Sequence, residues 1–155
     1  MNSLDRIDYA ILAVLQGHGR ITTTKLAERV NLSETPCARR LKRLESEGYI
    51  EGYRAVLSRK ALGLGVTAFA QVRFGRHDPK LSDAFEREVR TLSHVVFCHN
   101  ISGSADYLLQ VMARDLDEYG ALIRDVIRAL PGVTSVESML SLQEIKRDNG
   151  LPLST

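Results

Sequence analysis

The hydrophobic pattern of this 155-residue chain first changes its period between Leu62 and Gly65. Before that point, from Leu4 to Leu15, apolar residues recur every three or four positions, which is the spacing of an amphipathic helix. After it, over residues 66–74, they recur at every second position, which is the spacing of a strand buried on one face. The chain is therefore predicted to form a helical domain at residues 1–62 and an α/β domain at residues 63–155.

The first domain carries signals for the beginnings of two helices. Asp5 is placed to cap the first helix, and Asp8 favours its first turn. Thr22 or Thr23 begins a second, shorter helix. Asn31 tolerates the left-handed conformation that ends a helix, so a tight turn is predicted to lead into a third helix.

The third helix is predicted within Ser33–Gly48, the stretch with the most concentrated positive charge. Pro36 fits only the first turn of a helix, so this helix begins after a cap at Ser33 or at Thr35. One side is apolar and predicted to pack, whereas the opposite side is predicted to face outward. The residues of that outward side include Thr35, Arg39, Lys42 and Arg43, with Arg40 beside them. Taken alone, such a side is either a solvated basic face or a surface for phosphates.

A short helix, a tight turn and a basic helix together match the helix-turn-helix pattern, whose last helix enters the major groove of DNA. The charge distribution agrees, because residues 1–62 carry 11 basic and 7 acidic residues, whereas residues 63–155 carry 10 and 12. The segment Tyr49–Leu57 alternates around a glycine and predicts a short strand or wing. The predicted DNA-binding residues are Thr24, Lys25, Ser33, Glu34, Thr35, Pro36, Arg39, Arg40, Lys42, Arg43 and Arg54.

Strands and helices follow one another in the second domain in the order β-α-β-β-α-β, with Asp78-Pro79 and Asp117 placed to begin the helices. This order predicts an α+β, ferredoxin-like sandwich with two helices on one face of an antiparallel sheet. The other face would leave apolar side chains in water, so a second copy is predicted to cover it in a homodimer. The residues assigned to that open face are Phe69, Phe97, Leu109 and Leu140.

Several classes of function are disfavoured by the sequence. Cys98 and His99 are adjacent on a predicted strand and point to opposite faces, which argues against a metal site. Neither a G-x-S-x-G nor a G-x-x-x-x-G-K motif is present, so neither an enzyme nor a resident cofactor is predicted. No apolar run approaches the roughly 18 residues of a membrane span, and acids follow the initial Met, so the prediction is a cytoplasmic protein with no membrane partner.

Five motifs in register resemble the Lrp/AsnC family, the leucine-responsive or feast/famine regulators. They are L-D-R-I-D-Y-A-I-L at 4–12, L-S-E-T-P-C at 32–37, the R-L and G-Y-I of 43–50, S-G-S-A-D-Y at 102–107 and L-P-G-V at 130–133. The resemblance implies a winged helix-turn-helix domain, which binds double-stranded DNA, joined to a RAM/AsnC-type effector domain. It also implies dimers that assemble further into octamers, and a small-molecule effector, commonly an amino acid, bound at contacts between dimers.

The family resemblance places the effector at the loop Ser102–Tyr107. Gly103 permits a tight backbone, and Asp106 is suited to pair with an α-ammonium group. The alternative is a plain hairpin turn in which Asp106 accepts backbone hydrogen bonds. Ser104-Ala105 differs from the acidic and aromatic pair of many relatives, so the effector is not specified. The predicted effector-binding residues are Gly103, Ser104, Ala105, Asp106, Tyr107, Leu116, Ser138 and Leu140.

The leading hypothesis is a sequence-specific transcription regulator whose DNA binding or assembly responds to an amino acid. Two alternatives stay open at the level of sequence. One is an architectural, nucleoid-like DNA-binding protein without an effector. The other is a ligand-binding α/β module whose helical domain does not bind DNA. Salt-dependent DNA binding and ligand-dependent thermal stability separate the three.

Overall fold

The computed structural model describes residues 3–75, 78–147 and 150–153. The chain divides into two compact units, one formed by residues 1–57 with 146–155 and the other by residues 58–145. The sequence predicts a boundary after residue 62, whereas the structure divides the chain after Leu57 and returns its C-terminal segment to the first unit. In that segment, the backbone N–H and carbonyl of Leu151 both bond to the side-chain amide of Gln16.

Three helices form the first unit: α1 (Arg6–Gly17), α2 (Thr23–Arg29) and α3 (Glu34–Ser46). The predicted capping of α1 is confirmed, because Asp5 accepts the N–H groups of Ile7 and Asp8 while Asp8 accepts that of Asp5. Thr22 caps α2. Each cap satisfies backbone donors that a helix leaves without partners at its N-terminus.

The turn between α2 and α3 has the predicted left-handed residue, since Asn31 has φ = 53°. Ser33, rather than Thr35, is the N-cap of α3, so Pro36 lies within the first turn. The apolar side of α3 packs as predicted. The buried core of this unit consists of Ile11, Leu26, Ala27, Val30, Cys37 and Leu44.

Of the two structures predicted for Tyr49–Leu57, a short strand or a wing, the strand does not form, because residues 51–57 are exposed and have no strand pairing. A lone segment has no second strand to satisfy its backbone groups, so alternation of side chains is not enough to make a ladder. A side chain fixes the segment instead. The Tyr53 hydroxyl donates to Glu45 Oε1 at 2.8 Å, which attaches it to the end of α3.

The second unit has the predicted β-α-β-β-α-β order. Its elements are β1 (Val66–Phe74), α4 (Pro79–Val89), β2 (Val95–Asn100), β3 (Tyr107–Ala113), α5 (Leu116–Ala121) and β4 (Val133–Leu140). The strands form one antiparallel sheet in the order β2-β3-β1-β4. Asp78 caps α4 as predicted, but Asp115 rather than Asp117 caps α5, because Asp115 holds the extended backbone of a cap and accepts the N–H of Glu118. A π-helical turn and a 3-10 turn continue α5 to residue 129.

The two faces of the sheet are set by the register of its strands. Ala68, Ala70 and Val72 are fully buried on the helix-covered face, as predicted. Leu109 lies opposite Ala70 and is also fully buried, so its assignment to the open face is wrong. Leu140 lies opposite Ala68, and its assignment is wrong for the same reason, although its side chain is 46% exposed. In both cases the strand was predicted correctly, but the side chain was assigned to the wrong face of the sheet.

The open face nevertheless carries apolar side chains. The rings of Phe69 and Phe97 lie on it with centroids 6.3 Å apart. Met139, opposite Phe69 on β4, is 41% exposed. Among the described residues, no helix is long and apolar enough to cross a membrane.

Candidate DNA-binding surface and effector loop

The exposed surface of α3 contains most of the predicted DNA-binding residues. Ser33, Glu34, Thr35, Arg39 and Lys42 are exposed, whereas Pro36, Arg40 and Arg43 are half-buried. Thr24 and Lys25 at the start of α2 are exposed as well, and so is Arg54 after α3. The Thr24 hydroxyl donates to Glu34 Oε2 at 3.1 Å, so the N-terminal turns of α2 and α3 meet.

The sequence did not predict an ion-pair network that joins α3 to the beginning of α1. The Asp8 side chain is 1% exposed and accepts from Arg40 Nη1 at 2.8 Å and from Arg43 Nη2 at 2.5 Å. Arg40 also donates to Asp5 at 2.6 Å. The capping box therefore does more than begin a helix, because its two carboxylates hold two arginines of α3.

The pKa values of both carboxylates are lowered in this network. Burial alone would raise the pKa of Asp8, but the N–H of Asp5 and the guanidinium groups of Arg40 and Arg43 more than offset it. The pKa of Asp5 is lowered chiefly by the N–H of Asp8 and then by Arg40. Both carboxylates are therefore ionised at neutral pH, and the two arginines face compensating negative charge.

The prediction that Arg43 faces outward is wrong, because its guanidinium points to Asp8 and its Nε is buried with no hydrogen-bond partner among the described residues. The spacing of residues along α3 alone could not show that α1 occupies that side of the helix. Within the described parts of the chain, Arg39 and Lys42 are exposed and have no ion-pair partner. These two side chains, rather than all four bases, present uncompensated charge to an external polyanion.

The predicted effector loop between β2 and β3 is tightly built. Gly103 has φ = 122°, a conformation that residues other than glycine rarely adopt. The N–H of Ile101 donates to the carbonyl of Asp106, and the N–H of Asp106 donates to the carbonyl of Val72, each at 2.9 Å. Ser102, Gly103 and Ser104 are exposed, whereas Ala105 is buried. The loop therefore presents its backbone to the outside and anchors its last residues in the sheet.

Asp106 fits the hairpin alternative better than the ligand role. Its Oδ2 accepts the backbone N–H of Phe74 at 2.7 Å, which ties the loop to the end of β1. Tyr107 is buried, and its hydroxyl donates to Glu86 Oε1 of α4 at 3.1 Å. Pairing of Asp106 with an α-ammonium group stays a prediction.

The other three predicted effector residues do not gather around this loop in one chain. Leu116, the first residue of α5, follows the far end of β3 and is 59% exposed. Leu140 pairs opposite Ala68, whereas the loop joins the sheet beside Val72, at the other end of β1. Ser138 pairs opposite Ala70, between these two positions along β1, and its hydroxyl accepts a hydrogen bond from the Tyr119 hydroxyl at 2.7 Å. A single pocket containing Leu116, Leu140 and the loop would need more than one chain.

Comparisons with known proteins match both domains of the chain. A model described as winged helix-turn-helix DNA-binding matches residues 4–51, and one described as Lrp/AsnC ligand binding domain matches residues 67–151. The leucine-responsive regulatory proteins of Escherichia coli and Salmonella typhimurium are each 38% identical over 152 residues, covering 98% of this chain and 93% of theirs.

Solved structures extend the similarity to the whole fold. A transcriptional regulator of Neisseria meningitidis in complex with L-Met has 39% identity and a TM-score of 0.94, covering 97% of both chains. An AsnC family transcriptional regulator of Agrobacterium tumefaciens has 33% identity and a TM-score of 0.92, with the same coverage. With a DNA-binding domain, a ligand-binding domain and full-length relatives all matching, the chain belongs to the Lrp/AsnC family of transcription regulators.

Proposed function

We propose that this protein binds double-stranded DNA through α3 and that an aliphatic amino acid, bound by its second domain, alters its DNA binding or assembly. The observation that carries the DNA role is the charge of α3. Arg39 and Lys42 extend from a helix that Asp8 holds in place through Arg40 and Arg43. Fixed orientation and available charge are what a recognition helix in the major groove requires. The proposed activity is DNA and ligand binding without a catalytic step. It takes place in the cytoplasm, where the DNA lies.

The roles of the four bases are divided. Arg39 and Lys42 contact phosphates, and Thr35 near the start of α3 lies where base edges are read. Arg40 and Arg43 mainly anchor α3, and direct contacts of their remaining donors with DNA stay predictions. Thr24, Lys25 and Arg54 supply further backbone contacts on either side of the helix.

The test is fluorescence anisotropy with duplex DNA from upstream of the protein's own gene, measured over a series of salt concentrations. Removing one phosphate-binding side chain should reduce the slope of log K against log salt by about 0.9. Arg39→Ala and Lys42→Ala should each give a shallower slope and weaker binding. Arg87→Ala, which removes an exposed base from α4 of the other domain, is the matched control. Unchanged slopes in both α3 variants would refute the assignment.

Relatives support the amino-acid response. The Neisseria meningitidis structure is a complex with L-Met, and the enterobacterial relatives are named leucine-responsive. L-Met and L-Leu are therefore the first ligands to test by thermal shift. A ligand at about 100 times its dissociation constant should stabilise the protein by roughly 2.7 kcal/mol. DNA binding that no amino acid alters would instead favour an architectural role without an effector.

The working form is proposed to be a homodimer that assembles further, up to an octamer as the family resemblance implies. Two features support more than one copy: the apolar open face of Phe69, Phe97 and Met139, and the separation of Leu116 and Leu140 from the loop within one chain. Sedimentation velocity with and without L-Met measures the state directly. A monomer under all conditions would contradict this form.

A further inference from the structure

A cavity of about 430 Å³ lies between α4 and the edge strand β2 of the second unit. This volume falls within the range of small-molecule sites, roughly 300–1,000 Å³. The pairing register of β2 with β3 shifts between Val95 and Phe97, two residues that line the cavity. Apart from Tyr107, none of the predicted effector residues lines it.

The cavity combines one positive and one negative charge with an apolar wall. Glu86 and Arg90 lie one turn apart on α4, with Oε2 and Nη2 separated by 3.6 Å. Their side chains are 43% and 78% exposed, so this pair is weakly held and both groups remain accessible to a competing ligand. Val89 and Val95 supply the apolar wall. The hydroxyl of Tyr107, which ends the effector loop, donates to Glu86 and so connects the loop with the cavity.

We propose that this cavity binds an α-amino acid with an apolar side chain. The guanidinium of Arg90 receives the α-carboxylate, the carboxylate of Glu86 receives the α-ammonium group, and the apolar wall receives the side chain. A simple anion would be repelled by the Glu86 carboxylate, and a simple cation would be repelled by the Arg90 guanidinium. A zwitterion compensates both charges at once. The ligand class rests on the proposed amino-acid response, but the site is separate from the exposed backbone of Ser102–Ser104.

Cys98 offers a reporter for occupancy, because its half-buried thiol lines the same cavity. Burial first, and then the charge of Glu86, raises the pKa of this thiol to about 11. The thiol is therefore neutral at pH 8 and reacts slowly with N-ethylmaleimide, which gives a rate that mass spectrometry can follow. Cys37, fully buried in the other unit, is the internal control.

The experiment measures Cys98 alkylation in the full-length protein with L-Met or L-Leu. At ten times its dissociation constant, a ligand that covers the thiol should slow alkylation about tenfold, by mass action. The amine and the acid obtained by removing one charged group of methionine should protect much less. Arg90→Gln and Glu86→Gln should each weaken the affinity about tenfold or more, as expected when a charged hydrogen bond is removed, so that protection at the same ligand concentration falls to about twofold or less. Arg87→Gln, on the same helix but outside the cavity, should protect like the wild type.

Gly103→Ala distinguishes this cavity from the loop. Protection that persists in Gly103→Ala but disappears in Arg90→Gln places the ligand in the cavity. Protection that disappears in Gly103→Ala but persists in Arg90→Gln overturns the cavity assignment. Absence of protection while L-Met or L-Leu still alters DNA binding also overturns it, yet leaves the proposed function intact. If neither protection nor a DNA response occurs with these amino acids, both assignments fail.

Discussion

Replacing Asp8 with Asn tests whether the network between α1 and α3 holds the DNA-binding unit together. Asn keeps the size of the side chain but removes the negative charge that faces Arg40 and Arg43. Removing one partner of a buried ion pair typically costs about 3–5 kcal/mol, because the remaining charge loses its compensation. Here the arginine side chains remain 27% and 30% exposed and recover some hydration. The expected loss in the free energy of unfolding is therefore about 3 kcal/mol, the lower end of that range.

Urea unfolding of the full-length protein at pH 7 measures this loss. Asp83→Asn, which changes an exposed carboxylate on α4, is the matched control and should unfold within about 0.5 kcal/mol of wild type. Differential scanning calorimetry provides a second readout, because the transition of the destabilised unit should move to lower temperature. The effect should be confined to that unit.

A specific outcome would refute this account of α3. If Asp8→Asn unfolds within about 0.5 kcal/mol of wild type, the two arginines do not need the buried carboxylate. The anisotropy assay then supplies an independent check. A folded Asp8→Asn protein should retain a steep salt dependence, since Arg39 and Lys42 are unchanged. A slope reduced as much as in Arg39→Ala would mean that Asp8 acts on the DNA contacts themselves.

Three further predictions follow from the same structure. The folded-state pKa values of Asp5 and Asp8 lie below the ordinary value of 3.8. The stabilisation by these carboxylates is therefore present above pH 3.8 and is lost as the pH falls through the lowered pKa values. In urea titrations, the difference in unfolding free energy between wild type and Asp8→Asn should close towards about pH 2. Gly103→Ala places a side chain at φ = 122° and should lower stability by about 1–3 kcal/mol in the same assay, whereas Gly120→Ala, a helical position with open space, should not destabilise the protein. Phe69→Asp puts a charge on the open face of the sheet and should shift sedimentation towards monomers. Arg87→Asp, on the exposed side of α4, is the control, and unchanged assembly of Phe69→Asp would exclude the open face as the interface.

Local chemistry explains why much of the fold was predictable. Asp5, Thr22 and Asn31 each act on backbone groups a few residues away, so their roles can be read from nearby sequence. The alternation along β1 was sufficient to identify both its strand and its buried face. Such signals predicted the helix-turn-helix and the order of strands and helices along the second domain without knowledge of distant contacts.

The errors arise where distant parts of the chain meet. The Arg43 side chain was predicted to face solvent because the spacing along α3 carries no information on α1, whose Asp8 binds Arg43. Leu109 was assigned to the wrong face because β3 is apolar on both sides, which leaves its phase undetermined until it pairs with β1. Asp8 was recognised as a capping residue, but its partners lie 32 and 35 residues away and no local pattern connects them.

The return of the C-terminal segment to α1 makes the second domain an insertion within the first rather than an appendage after it. Two covalent connections, after Leu57 and before Lys146, therefore join the ligand-binding domain to the helices that hold α3. The hydrogen bonds between Gln16 and Leu151 anchor the segment that follows the second connection on α1, so the ligand-binding domain is attached to the DNA-binding unit at both of its ends.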